Sequence, residues 1–204
     1  GWAQFQPAGG GFYQPTADAW QLINTNGAPL AAQVGVWTGS ELLVAGSAGS
    51  AFTGARYHRG TGTWSPISTT NAPQNIGTAV WTGSRMIVWG GFMHDDSART
   101  NTGAIYDPFA NIWAPMNTAN APASRSGHTV IWTGTRMLVW GGTDGATTLD
   151  SGGSYDPVAN IWTPLSLVNA PLARAGHTAI WTGSRMIIWG GGTNAFFGAV
   201  DQTS

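Results

Sequence analysis

The chain has 204 residues, enough for one ordinary domain, and its eight basic residues, all arginine, stand against nine acidic ones for a formal net charge of −1. That balance leaves no electrostatic footprint for nucleic acid or an anionic membrane surface, and no apolar run approaches the roughly 20 residues of a helical membrane span. The absence of cysteine excludes disulfides, thiol catalysis and zinc–thiolate sites, while 12 tryptophans argue against disorder despite 30 glycines.

In chain order, residues 12–20 read as two short strands, with Tyr13 seven residues before Trp20. Pro29 follows Trp20 by nine residues. Then comes Trp37-Thr38-Gly39-Ser40, a strand end running into a tight turn. The same three signals return as Tyr57/Trp64, Pro73 and Trp81, as Tyr106/Trp113, Pro122 and Trp132, and as Tyr155/Trp162, Pro171 and Trp181. The tyrosine spacing is 44 residues for the first copy and 49 for the next two. Self-similarity of this kind is a repeat architecture.

Within one copy, residues 128–132 form a β-branched apolar run, and Thr133-Gly134-Thr135 turns it. Residues 137–140 form a second apolar run, stopped by Gly141-Gly142. A glycine-rich loop leads to a last pair of strands at 153–157 and 161–164. Each copy therefore reads as four short strands. The second is apolar without alternation, which suits a strand covered on both faces. A four-stranded sheet repeated every 40–50 residues reads as a propeller blade.

The elements Arg125-x-Gly127-His128, Gly141-Gly142, Tyr155-Asp156-Pro157 and Trp162 resemble a kelch repeat, and Arg174, Gly176-His177 and Gly190-Gly191 repeat its opening half. The resemblance covers nearly the whole chain and implies an all-β kelch-type β-propeller. It predicts a single domain over 1–204: four repeats of four-stranded antiparallel blades around a central channel. The first copy departs from the pattern, with Ala45-Gly46-Ser47 where others have Trp-Gly-Gly, and the first two copies lack Arg-x-Gly-His. Kelch propellers usually have more than four blades. The chain opens on strands three and four and closes on strands one and two, so the halves would complete one shared blade in a closed ring. A four-blade ring, a larger ring or homo-oligomer made by two chains, and part of a longer protein all stay open.

Most repeated residues read as structural. Eleven tryptophans sit at repeated strand positions and read as core, with Trp2 the exception. Asp107 and Asp156 stand before a proline, where an aspartate bonds its own backbone. The diglycines demand a positive φ or a close approach. His128 and His177 read as local structural hydrogen-bonders rather than a metal ring, because the first two copies have no counterpart. Arg85, Arg136 and Arg185 follow the strand one-to-two turns and read as solvated or ion-paired. No metal and no cofactor are expected.

Blade topology puts the two-to-three and four-to-one loops on one face. The two-to-three loops, residues 47–53, 92–102 and 143–151, vary between copies. They hold His94, Asp95, Asp96, Arg99, Asp144 and Asp150, and Arg125 and Arg174 open the four-to-one connections on the same face. Variable polar loops on a rigid scaffold are where binding concentrates. These eight residues are the expected ligand-binding set, and the expected function is a non-catalytic module at or outside the cell surface that binds a protein or a glycan. Two alternatives stand beside it: a surface-layer or filament subunit, and a sugar-processing enzyme of the kind some kelch propellers carry. A copper radical oxidase is excluded, since it needs a Tyr–Cys crosslink.

Overall fold

The computed structural model describes residues 9–92 and 98–193, and its regular elements are all β-strands. Strands β1 (Gly11–Gln14) and β2 (Ala19–Leu22) form a two-stranded sheet. The first full blade is β3 (Val34–Trp37), β4 (Glu41–Ala48), β5 (Ala51–His58) and β6 (Thr63–Pro66). The second is β7 (Thr78–Trp81), β8 (Met86–Trp89), β9 (Gly103–Asp107) and β10 (Ile112–Pro115). The third is β11 (Thr129–Trp132), β12 (Met137–Trp140), β13 (Gly152–Asp156) and β14 (Ile161–Pro164). A second two-stranded sheet, β15 (Thr178–Trp181) and β16 (Met186–Trp189), closes the series. The three full sheets are antiparallel meanders in sequence order, as the repeat predicts. Among the described residues no helix is long and apolar enough to cross a membrane.

The first strands β3, β7, β11 and β15 lie side by side along the inner edge, so the sheets stack face to face. Stacking explains β8, whose four residues Met86-Ile87-Val88-Trp89 are all buried without alternation. One apolar cluster joins the first and second blades through Val36, Leu43, Met86, Val88, Tyr106 and Trp113. Another joins the second and third through Ile87, Trp89, Met137, Val139, Tyr155 and Trp162.

The seven-residue Tyr-to-Trp spacing is a cross-strand pair. Tyr57 faces Trp64, Tyr106 faces Trp113 and Tyr155 faces Trp162, with ring centroids 5.0 Å apart in each. Each indole N–H then crosses to the preceding blade. Trp64 donates to the Asn24 carbonyl at 2.7 Å, Trp113 to Ser68 at 2.9 Å and Trp162 to Asn117 at 3.0 Å. One residue type thus fills the core and ties blades together.

Two expectations change. Residues 47–53 are not a loop, because β4 and β5 keep pairing out to Ala48 opposite Ala51 around Gly49-Ser50. The first copy is short here, so its ladder continues where the others open. The tryptophans divide by position: Trp89, Trp113, Trp140 and Trp162 are buried, whereas Trp20, Trp37 and Trp189 are exposed. Those three lie in or beside the half-blades, where fewer sheets pack against them. Trp2 lies outside the described residues.

Candidate functional site

The two-to-three loops and four-to-one connections meet on one face, as topology requires. The Gly91 amide donates to the Arg125 carbonyl at 2.9 Å and the Gly142 amide to the Arg174 carbonyl at 2.8 Å. Ser126 and Thr143 exchange backbone bonds at 3.0 and 2.9 Å. The connections entering the third blade and the last sheet are therefore stitched to loops of their own sheet and of the one before.

Arg125, expected in the ligand-binding set, is turned away from solvent. It is fully buried. Its Nε donates to the Ala123 carbonyl at 2.8 Å, and Nη1 donates to the carbonyls of Gly141 at 2.9 Å and Ser151 at 2.8 Å. Nη2 reaches Ser151 Oγ at 3.2 Å. Burial pushes the guanidinium pKa down to about 10, opposed by Asp144, so it stays charged at neutral pH. With its donors committed to both ends of the 143–151 loop, it is a clasp. Arg174 repeats the arrangement one blade on, donating to Leu172 and Gly190, both at 3.0 Å, from a half-buried position.

His128 and His177 are also buried, and their hydrogen bonds are not local. His128 Nε2 sits 2.8 Å from Thr78 Oγ1, and His177 Nε2 sits 2.8 Å from Thr129 Oγ1, each in the preceding blade. Each ring stands edge-on to a tryptophan of that blade, Trp89 or Trp140, at 5.1 Å. Among the described residues no group of three His, Asp or Glu side chains could hold a metal ion.

What solvent meets on this face is built by Arg99, Asp144 and Asp150. Arg99 lies over the Phe92 ring, 4.9 Å from its centroid, a cation–π stack. Its Nε donates to Ser126 Oγ at 3.2 Å, at the entrance to the third blade. Gly145 (φ +102°) lies against the same guanidinium, where any Cβ would collide with it. One side chain from the second blade thus bridges to the third. Asp144 caps its own loop by accepting from the Ala146 and Thr147 amides, both at 2.8 Å. Those amides, Thr147's foremost, hold its carboxyl below the usual range. Asp150 is exposed at the end of the same loop, beside the Ser151 clasped by Arg125. Thr148 Oγ1 donates to the Thr193 carbonyl at 2.9 Å, extending the rim to the last sheet. His94, Asp95 and Asp96 lie outside the described residues.

Ser126 and Gly145 were missed as parts of this rim. The sequence signal for Gly145 is a glycine after Asp144, which reads equally well as an ordinary turn. On the opposite face the turns pair internally: Arg85 with Asp107 at 3.4 Å, Arg136 with Asp156 at 3.2 Å, and Glu41 with His58 at 2.7 Å. Asp107 and Asp156 accept from the amides two and three residues on, as expected before proline.

A family model described as the KLHDC2/KLHL20/DRC7 Kelch-repeats domain matches residues 76–201. No curated protein matches the chain.

Proposed function

The chain belongs to the kelch-repeat family, whose repeats generally mediate protein–protein interaction, and we propose that it is a non-catalytic module that binds a partner protein through the rim around Arg99, Asp144 and Asp150. The observation that carries this reading is the Arg99 bridge. By stacking on Phe92, bonding Ser126 and packing on Gly145, Arg99 joins two variable loops into one polar surface on a buried, clasped scaffold. Preorganised loops lose little freedom on binding.

A protein is favoured over a glycan by the aromatic groups. Sugar binding by stacking uses an open ring face, and the Phe92 ring carries Arg99 on one side. A catalytic role is disfavoured by Asp144, which is engaged with its own loop amides. A photoreactive amino acid at Asp150 or Ala146, compared with one at Ser184 on the opposite face, tests the assignment. Crosslinking of one protein from the rim positions alone supports it. Crosslinking from Ser184 alone overturns it.

A further inference from the structure

Between the second and third full blades, on the face that carries the one-to-two and three-to-four turns, lies a cleft of about 450 Å³. That falls within the size range of ligand pockets. Ile87 and Ile105, a cross-strand pair, line one side. Trp132 and the Pro157-Val158 turn line the other, with Arg85 and Thr135 at the mouth. Val158 is 95% exposed.

The chain shows how the same place is treated one junction earlier. Between the first and second blades, Arg56 stands where Ile105 stands, each just before the tyrosine of its blade. Arg56 Nη1 crosses the gap and donates at 2.7 Å to the carbonyl of Pro108, the counterpart of Pro157. Glu41 there occupies the place of Arg85. The first junction therefore carries its own plug, with a carboxylate beside it. The second has an apolar wall in place of the plug and a cation in place of the carboxylate. Arg85 reaches Asp107 through Nε at a loose 3.4 Å, and its side chain is 54% exposed.

We propose that this cleft docks an extended segment of a partner protein, which seats an apolar side chain on Ile105 and Trp132 and places a neighbouring Asp or Glu on Arg85. The terminal guanidinium nitrogens point the choice toward a carboxylate, which they can grip in a fork. The Pro157 carbonyl is available to a backbone amide of the segment, as Pro108 is to Arg56. The site lies on the face opposite the loop rim, so the two surfaces are separable.

The test is an NMR titration of the ¹⁵N-labelled full chain with a short blocked peptide containing Phe-Glu, beside its Phe-Gln and Ala-Glu analogues. The expected result is a saturable shift confined to amides of residues 84–87, 105, 132–135 and 157–158. Binding should weaken about tenfold for the Phe-Gln peptide or in Arg85→Gln, the loss of one charged hydrogen-bonded contact. Ile105→Arg, which restores the plug, should abolish it. Val158→Glu, at an exposed position that the fold does not need, should abolish it too. The proposal is overturned by no saturable shift with the Phe-Glu peptide, by equal affinity for the Phe-Gln peptide, or by unchanged binding in both Ile105→Arg and Val158→Glu. Shifts centred on residues 99 and 144–150 would assign the peptide to the rim and overturn the cleft as its site.

Discussion

His128 Nε2 lies 2.8 Å from Thr78 Oγ1, 50 residues back in the chain and one blade away. The Thr78 hydroxyl donates to the Trp89 carbonyl at 3.2 Å, so the imidazole must be the donor in the shared contact. That assigns the proton to Nε2 and leaves Nδ1, buried without a partner, as a bare lone pair. A second proton would put a charge and an unmet N–H in the blade interface. Burial, with Arg125 and His177 adding to it, pushes the His128 pKa down to about 3, and burial next to Arg174 pushes that of His177 to about 4.

Stability should therefore fall as the solution is acidified. Both histidines titrate near 6.5 in the unfolded chain and well below that when folded. Between those values the unfolded chain holds more protons, so stability rises with pH, by up to about 1.4 kcal/mol per pH unit for each histidine. The full contribution is present above pH 6.5 and is lost progressively toward pH 4 and below. Urea unfolding at pH 7 and pH 5 should show a lower midpoint at pH 5, and His128→Gln should shrink the difference. Equal midpoints for the parent chain would show that both rings charge freely in the fold.

Trp113 and Trp162 have buried rings in the core, and their N–H groups cross to a carbonyl of the preceding blade. Replacing either with alanine should cost roughly 3–5 kcal/mol. Trp20→Ala, at the same repeat position but 71% exposed, should cost under about 1 kcal/mol. Denaturant titration with fluorescence detection separates the two classes. A small loss at Trp113 would mean that the blades do not pack as described.

Gly141 explains half of the diglycine signature. It has φ +67°, and an added Cβ would come within 2.6 Å of His177 Cε1. The imidazole of the next blade rests directly on this backbone. Gly134 is also left-handed, at φ +101°, but a Cβ there meets nothing within 4 Å. Gly134→Ala should cost about 1–2 kcal/mol from backbone strain alone. Gly141→Ala should cost distinctly more, and pairing it with His177→Ala should recover part of the excess. Equal losses at the two glycines would remove the contact from the account.

The repeat, the four-strand blade and the sharing of faces between loops were all legible, because they follow from period, turn residues and topology. The failures share one cause, which is that the sequence orders residues along a strand and says little about the neighbouring blade. His128, Trp113 and Arg56 each make their deciding contact about 45–52 residues away. Arg125 was misplaced for a related reason. Its position at the mouth of a loop was right, but nothing in Arg-x-Gly-His says that the guanidinium turns inward to three carbonyls. The length of β4 and β5 was missed because the residues that prolong the ladder, Ser47 to Thr53, look like loop in composition.

Arg125 decides between a clasp and a ligand contact, and the two make opposite predictions. As a clasp, it holds the carbonyls of Ala123, Gly141 and Ser151. Arg125→Met keeps the aliphatic bulk and removes every donor, leaving the buried Gly141 carbonyl unmet at about 1–3 kcal/mol. Arg125→Lys keeps the charge, but a single ammonium on a flexible stem cannot reproduce the planar fork, so it should recover only part of the loss. Amide exchange in the 143–151 loop should accelerate in Arg125→Met, because the loop loses the group that joins its two ends. Asp150→Ala, by contrast, touches an exposed side chain and should leave stability within about 0.5 kcal/mol. If Arg125→Met unfolds at the same urea concentration as the parent, with unchanged exchange in that loop, the guanidinium is not structural. The rim would then have to be redrawn to include it.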